Sequence, residues 1–168
     1  ANFTLTVTDV TRPSEINLST PTNNTLNKSR VWLFRSNASD NVALSNGTLY
    51  HNVSGSWTKN QTNITITSAD NATSFVLGVV PDGGYIWNVE WCDNTNNCAQ
   101  NSQNFTFTVD GTGLSAINLI NPPNNTNNIS RSFTFYGNAT DNRILDNATL
   151  YPNEPGTFSQ IRSVSTNV

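Results

Sequence analysis

The sequence has little charge and few of the residue types that enzymes use most. Its 168 residues include 8 Lys and Arg, 11 Asp and Glu, one His and no Met, with a formal net charge of −3. So few basic residues leave no surface that would attract nucleic acid or anionic lipid. The apolar runs stay shorter than the roughly 18 residues of a membrane-spanning helix, so we expect no membrane insertion in this segment.

The single histidine, His51, limits the catalytic chemistry that the sequence can support. A Ser-His-Asp or Cys-His site would have to use it, and its place just after a predicted strand indicates an exposed strand-end residue. The acidic residues are scattered through predicted turns and give no carboxylate pair across a cleft, as a glycosidase needs. We therefore predict that the chain is not an enzyme and needs no cofactor.

Asparagine and threonine are abundant instead, at 29 and 23 residues. These residue types favour turns and strand faces over helices. They form fifteen Asn-X-Ser/Thr sequons, at Asn2, Asn17, Asn23, Asn27, Asn37, Asn46, Asn52, Asn60, Asn63, Asn71, Asn104, Asn124, Asn128, Asn138 and Asn147. Chance would supply roughly half of them in so Asn-rich a chain. Their number, and their placement in loops or on outward strand positions, predict N-linked glycans on an extracellular protein.

The sequence contains an internal repeat with a spacing of 101 residues. The stretch INLSTPTNNT from Ile16 recurs as INLINPPNNT from Ile117, and NASDN at 37–41 recurs as NATDN at 138–142. Two copies of a unit of this length match the size of an Ig-like domain.

The chain is out of phase with this repeat. Residues 2–7, NFTLTV, resemble residues 104–109, NFTFTV, which form the predicted last strand of the first unit. We therefore predict a stray last-strand segment over 1–10, a complete domain over 11–110 and a second domain over 111–168 that is incomplete in this sequence. Two explanations stay open: the sequence is a window of a longer repetitive chain, or residues 2–7 are a donor strand.

Hydrophobic alternation predicts an all-β chain of tandem Ig-like sandwiches with little or no helix. Strands are predicted at 15–20, 30–37, 46–51, 56–58, 63–67, 75–80, 85–92 and 105–109. The side chains expected to face the core include Ile16, Leu18, Trp32, Phe34, Ile64 and Ile66. In the strand 85–92, Tyr85, Trp87, Val89 and Trp91 form one large apolar face, and the preceding turn puts Tyr85 where a tyrosine corner would lie.

Cys92 and Cys98 are the only cysteines. Their short separation favours one local disulfide across the turn after the strand 85–92, in an oxidising location. The alternative is a metal pair, although two cysteines without further Cys or His nearby supply too few ligands. A redox Cys-X-X-Cys motif is absent.

Four aspartates in predicted turns are candidate metal ligands: Asp40, Asp93, Asp110 and Asp141. In an Ig-like sandwich the turns that carry Asp40 and Asp93 share one end. Together with Asn41 and Asn94 they would form an oxygen-rich Ca²⁺ site. An Asp-Asn pair also caps turns, and this simpler interpretation is favoured.

Together the motifs INL…PPNNT, NATDN, TLY, PDGGYIWNV, CDNTNNCA and NFTFTVD resemble the tandem Ig-like repeats of large archaeal and bacterial surface proteins. The resemblance covers the whole chain. It implies an extracellular, cell-surface role without catalytic residues, and it supports the Cys92–Cys98 disulfide. Such domains serve as stalks, adhesins, fibre subunits and enzyme appendages. The leading prediction is a structural subunit of a heavily N-glycosylated filament or stalk. The alternative is an adhesin or carbohydrate-binding module.

The predicted partners are further copies of the chain, joined head to tail. Phe3, Leu5 and Val7 would pack in a neighbouring copy as the strand 105–109 packs in the first unit. An open sheet edge is a template for association, and a donated strand supplies a ladder of backbone hydrogen bonds. The second unit also lacks counterparts of 75–80 and 85–92, so a single donated strand would leave part of it uncovered.

Overall fold

The computed structural model describes residues 2–127, 132–152 and 162–165, the last range as backbone only. The chain forms two compact units, Ala1–Gly111 and Thr112–Val168. Every regular element in the described ranges is a β-strand, which confirms the all-β prediction. In those ranges no helix is long and apolar enough to cross a membrane.

Unit 1 contains nine strands in two sheets. They are β1 (Ser14–Thr20), β2 (Thr25–Asn27), β3 (Trp32–Ser39), β4 (Leu44–His51), β5 (Thr58–Asn63), β6 (Asp70–Leu77), β7 (Gly83–Asp93), β8 (Cys98–Gln100) and β9 (Phe105–Val109). One sheet has the order β1-β3-β6 and the other the order β2-β9-β7-β4-β5, with β8 paired to β7. The β2–β9 pair is parallel and the other pairs are antiparallel. Consecutive strands β3 and β4 lie in opposite sheets, as in an Ig-like sandwich.

Aromatic rings join the two sheets. Phe34 of β3 is fully buried, and its ring centroid lies 5.0 Å from Trp87 and 5.4 Å from Phe107 in the opposite sheet. Trp32 lies 4.7 Å from Phe107. Each such ring pair contributes about 1 kcal/mol beyond the area it buries. The prediction that Trp32 and Phe34 face the core is therefore confirmed.

Strand β7 spans 11 residues and lies between β4 and β9. Trp87, Val89 and Trp91 are fully buried, as the alternation predicted. The indole Nε1 of Trp91 donates a hydrogen bond to Ser36 Oγ of the opposite sheet at 3.0 Å. This bond satisfies two polar atoms in the core, where an unpaired one would be costly.

Tyr85 forms the predicted tyrosine corner. Its hydroxyl donates to Pro81 O at 3.1 Å, and its ring lies 5.4 Å from Phe107. Glycine at position 83 leaves room for the Tyr85 ring, because a Cβ there would fall 2.6 Å from the Tyr85 hydroxyl oxygen and 2.7 Å from its Cζ. The corner thus fixes the turn before β7 to the core.

The other face of β7 is also covered. Asn88 is 1% exposed and donates through Nδ2 to Asn101 O at 2.9 Å and to Asn104 Oδ1 at 2.8 Å. Its Oδ1 accepts from the Val89 N–H at 2.8 Å. Both ends of this buried amide therefore have partners, as buried polar groups require.

Several boundaries differ from the sequence predictions. The strands expected at 56–58 and 63–67 are replaced by β5, which ends at Asn63, so Ile64 is 76% exposed and only Ile66 is buried. The strand expected at 75–80 begins earlier, because its polar first half pairs with the end of β3. Strands β2 and β8, of three residues each, are too short to show alternation and were not predicted.

Unit 2 repeats strand pairings of unit 1. Its described strands are β10 (Ala116–Asn121), β11 (Tyr136–Thr140), β12 (Asn147–Leu150) and β13 (Arg162–Ser165). Asn118 of β10 faces Asn138 of β11, as Asn17 of β1 faces Asn37 of β3. The β12–β13 pair matches β4–β5 at the same spacing along the chain. The repeat in the sequence is therefore also a repeat in strand register.

We predict that Gly83→Ala destabilises unit 1 by about 1–3 kcal/mol, because the added methyl group overpacks the site. To relieve the contact, the Tyr85 ring must move and lose its bond to Pro81. Gly78→Ala is the matched control, since nothing lies within 4 Å of a Cβ at that position. Urea unfolding followed by tryptophan fluorescence measures both variants, and equal midpoints would contradict this role of Gly83.

Candidate functional site

Three aspartates meet at one end of the unit 1 sandwich. Asp40 follows β3, Asp93 ends β7, and Asp9 lies in the segment before β1. One carboxylate oxygen of each lies within 4.8 Å of the other two. Asp40 and Asp93 are the pair expected to meet from the sequence, and Asp9 is an additional member. We call Asp9, Asp40 and Asp93 the aspartate cluster.

Asp93 organises the turn between β7 and β8. Its Oδ1 accepts from the backbone N–H groups of Thr95 and Asn97, both at 2.8 Å, and its Oδ2 accepts from Asn97 Nδ2 at 2.7 Å. Burial acts to raise the pKa of Asp93, but the hydrogen bonds from Asn97 and Thr95 outweigh it and hold that pKa below its ordinary value. Asp93 is therefore a carboxylate at neutral pH.

Asp40 caps the turn between β3 and β4 through only one of its oxygens. Its Oδ1 accepts from the N–H groups of Val42 at 2.9 Å and Ala43 at 3.1 Å. Its Oδ2 is buried and has no hydrogen-bond partner, and the residue is 8% exposed. The turn interpretation that the sequence favoured therefore explains one oxygen and leaves the other unexplained.

Asp9 brings a segment without strand structure to the same place. Its backbone carbonyl accepts from Thr95 Oγ1 at 3.0 Å and from Asn97 Nδ2 at 3.1 Å. Its Oδ1 accepts from the Thr11 N–H at 2.9 Å, while its Oδ2 is buried without a partner. Sequence reasoning missed Asp9, although its repeat counterpart, Asp110, was among the candidate ligands.

The other candidates take different positions. Asn41 donates through Nδ2 to Asp9 Oδ1 at 3.3 Å, so its nitrogen faces the cluster. Asn94 uses its backbone N–H to bond Ala43 O at 3.3 Å, which joins the two turns. In unit 2, Asp141 Oδ1 accepts from the Arg143 N–H at 2.8 Å and caps a turn.

Cys92 and Cys98 form the predicted disulfide, with a Cα–Cα distance of 4.1 Å. The two residues face each other in the β7–β8 pair, so the bond closes the turn that holds Asp93 and Thr95. The cysteines are therefore not metal ligands. The donor atoms that remain in the cluster are oxygens, which suit hard cations such as Ca²⁺ and Mg²⁺ better than Zn²⁺.

The described sequon asparagines all lie outside the buried core. Nine are exposed, namely Asn2, Asn17, Asn27, Asn37, Asn60, Asn104, Asn124, Asn138 and Asn147. Five are half-buried, namely Asn23, Asn46, Asn52, Asn63 and Asn71, and Asn128 lies outside the described residues. An acceptor asparagine has to be reachable from solvent, so no described sequon is ruled out by burial in the core.

His51 is buried, at 4% exposed, so the expectation of an exposed histidine is wrong. The physical reason is that β5 pairs with β4 up to this residue, where His51 faces Thr58. Its Nδ1 accepts from the Val53 N–H at 3.2 Å. Burial lowers the pKa of His51 and outweighs the polar contacts that act in the other direction. A buried imidazole with this nitrogen engaged is poorly placed to be a general base.

The chain was compared with family models, curated proteins and solved structures. No family model matches the chain, and no curated protein matches it. The chain is similar to the CARDB domain of a Pyrococcus furiosus protein, solved in complex with di-metal ions. The sequence identity is 17%, the match covers 58% of this chain and 93% of that one, and the TM-score is 0.34. The fold assignment therefore rests on the strand order described above.

We predict that loss of the Cys92–Cys98 bond lowers the free energy of unfolding of unit 1 by about 2 kcal/mol, from the entropy of a short closed loop. Urea unfolding with and without a reductant measures the difference. The double variant Cys92→Ser/Cys98→Ser is the control, since its midpoint should not respond to the reductant. A wild-type midpoint that is the same in both conditions would contradict the prediction.

We predict that unit 1 loses stability as pH falls below about 6.5. The unfolded chain binds a proton at His51 near this pH, whereas the folded chain, with its lowered pKa, does not. Stability is therefore full above the unfolded pKa and declines towards the folded one. In His51→Asn, whose side-chain oxygen can replace Nδ1 as the acceptor, urea midpoints should fall less between pH 7.5 and pH 5. Parallel pH profiles would contradict this.

Proposed function

We propose that the chain is a structural module of a glycosylated extracellular filament or stalk, and that it builds length head to tail. The observation that carries the proposal is an exposed apolar segment. Phe3, Leu5 and Val7 are 96%, 88% and 83% exposed, respectively. The matching residues of β9 include Phe107 and Val109, which are fully buried. The same alternating pattern is thus buried in the core of unit 1 in β9 and exposed to solvent in residues 2–7.

Unit 2 exposes apolar side chains whose counterparts in unit 1 are buried. Leu119 and Phe135 are 90% and 50% exposed, while their repeat counterparts in unit 1, Leu18 and Phe34, are 3% and 0% exposed. Exposed apolar area of this kind favours association, at about 25 cal/mol for each Å² removed from water. We propose that residues 2–7 of a second copy cover part of this face as a donated strand.

Backbone pairing supplies the directional part of the interaction. In unit 1, β9 pairs with β7 on one side and with β2 on the other. A segment with the sequence of β9 can add to an exposed strand edge of a neighbouring copy, because edge strands present unpaired N–H and C=O groups. The alternating threonines of NFTLTV would then lie on the opposite face of the strand from the apolar side chains. Thr106 and Thr108 lie this way in β9, where they are half-buried and Phe107 is buried.

The rest of the module suits an extracellular structural role. The Cys92–Cys98 disulfide supports an oxidising location. Nine exposed sequon asparagines supply attachment points for a glycan coat that hinders proteolysis. His51, the only histidine of the chain, is buried, which argues against acid–base catalysis.

The alternative, an adhesin or carbohydrate-binding module, has weaker support. Sugar-binding faces use exposed aromatic rings, and in the described part of unit 1 Trp57 is the one exposed indole. It stacks on Tyr50, with ring centroids 5.9 Å apart. In unit 1, a single indole already stacked on a neighbour does not form a flat platform for a saccharide.

The test uses the 168-residue chain with Phe3→Asp and Val7→Asp together. Both charges would have to enter an apolar layer, so we expect the wild type to form long assemblies and the double variant to stay monomeric. Negative-stain electron microscopy and light scattering after size-exclusion chromatography measure this.

The matched control is Val31→Asp with Val76→Asp, which adds the same charge at positions 59% and 57% exposed. This control should assemble as the wild type does. Assemblies formed by the Phe3/Val7 variant would overturn the donor-strand model. A wild type that stays monomeric at high concentration would overturn self-assembly of this chain. It would favour the other explanation, that the sequence is a window of a longer repetitive protein.

A further inference from the structure

The aspartate cluster holds three carboxylates together, and no cationic side chain in the described part of the chain forms an ion pair with them. Asp9, Asp40 and Asp93 each place a carboxylate oxygen within 4.8 Å of the other two, and Asp40 and Asp93 are at least nine-tenths buried. Like charges at this distance repel strongly where water is scarce. The ion pair found among the described side chains, Arg30–Asp82, does not involve these three residues.

A second observation points to a missing positive partner. Asp40 Oδ2 and Asp9 Oδ2 are buried and accept no hydrogen bond, while the other oxygens of both residues are bonded to backbone N–H groups. Burying a carboxylate oxygen without a partner costs several kcal/mol of folding free energy, so it persists only where another interaction compensates for the lost solvation. The hydrogen bonds hold the side chains in place and leave these two oxygens available.

We propose that Asp9, Asp40 and Asp93 bind one Ca²⁺ ion, which fastens the segment before β1 to the end of the unit 1 sandwich. Calcium takes six to eight oxygen ligands at about 2.4 Å, so two of its ligands are at most about 4.8 Å apart. The three carboxylates meet this limit. Water and nearby backbone carbonyls complete the ligand shell.

The arrangement favours calcium over the other common cations. The cluster contains no imidazole or thiolate, which zinc prefers. Its ligands come from two turns and from a segment without strand structure, and calcium accepts such irregular geometry, whereas magnesium demands a near-regular octahedron. Extracellular calcium modules bind their ion with Kd values of about 10⁻⁴ to 10⁻³ M.

The position of Asp9 gives the ion a structural task. Asp9 is held to the β7–β8 turn by hydrogen bonds to its carbonyl from Thr95 and Asn97. A bound ion would add a link from the Asp9 side chain to the two turns that follow β3 and β7. The segment before β1, which carries Asp9, would then be held in one orientation relative to the unit 1 sandwich.

The internal repeat supports the pairing of the first two ligands. Asp9 and Asp40 are 31 residues apart, and Asp110 and Asp141 recur at the same separation. Both pairs lie at equivalent places relative to the INL and DN motifs. If Asp40 and Asp141 only capped their turns, the repeat would not need Asp9 and Asp110 at a constant separation from them.

The test compares the 168-residue wild type with Asp9→Asn, after treatment with a chelator and then with CaCl₂ or MgCl₂ added. Asp9 lies outside the strands, so the variant keeps the sandwich. With about 10 mM CaCl₂ we expect the Tm of wild-type unit 1 to rise by about 5 °C or more. Asp9→Asn should show a much smaller rise. Without calcium its Tm should equal or exceed that of the wild type, because one repelling charge is gone.

Asp70→Asn is the matched control, since Asp70 is an exposed aspartate of unit 1 outside the cluster, and it should respond as the wild type does. Hydrogen exchange supplies a second readout, in which calcium should slow exchange of the amides of residues 8–11. Absence of a Tm shift in the wild type would overturn the proposal, as would an equal shift in Asp9→Asn. An equal response to magnesium would overturn the assignment to calcium. Filament formation is not needed for any of these measurements.

Discussion

The rest of unit 1 depends on the contacts that the Phe34 ring makes with Trp87 and with Phe107. These rings come from opposite sheets, and they are the point where β3 meets β7 and β9. A sheet with one apolar face is stable only when that face is covered. The ends of β3 and β7 are thereby placed together, which is why the turns after them can bring Asp40 and Asp93 within reach of each other.

Two of the aspartates at that end differ in how their charge is satisfied. Asp93 has hydrogen bonds to both oxygens, and it is a structural part of its turn, with the disulfide closing the loop around it. Asp40 has donors on one oxygen and none on the other. A fold that needed only turn capping would have no use for a second buried oxygen, because desolvation without a partner is unfavourable. The asymmetry distinguishes carboxylate oxygens that cap a turn from the Asp40 oxygen that has no hydrogen-bond partner.

Sequence patterns predicted the strands with large apolar residues and failed where burial depends on neighbours. The alternation of Trp87 and Trp91 and the tyrosine corner at Tyr85 were both confirmed. His51 was expected to be exposed, because a sequence does not state which strand pairs beyond it. Asp9 was missed because the alternating pattern of residues 2–7 ends before it, and residues 8–13 have no periodic pattern that would indicate where they run. Pairing between distant segments, which decides both cases, has no signature in a local window.

The parallel pairing of β2 with β9 has a mechanical consequence. These strands lie near the two ends of unit 1, and Thr25, Leu26 and Asn27 face Phe107, Thr108 and Val109 in the same direction. When the chain is pulled from both ends, the force runs along these strands in opposite senses, perpendicular to their hydrogen bonds. The bonds of the pair are then loaded together in shear instead of opening one after another. A module built in this way resists tension along its length better than a hairpin pulled apart from its open end.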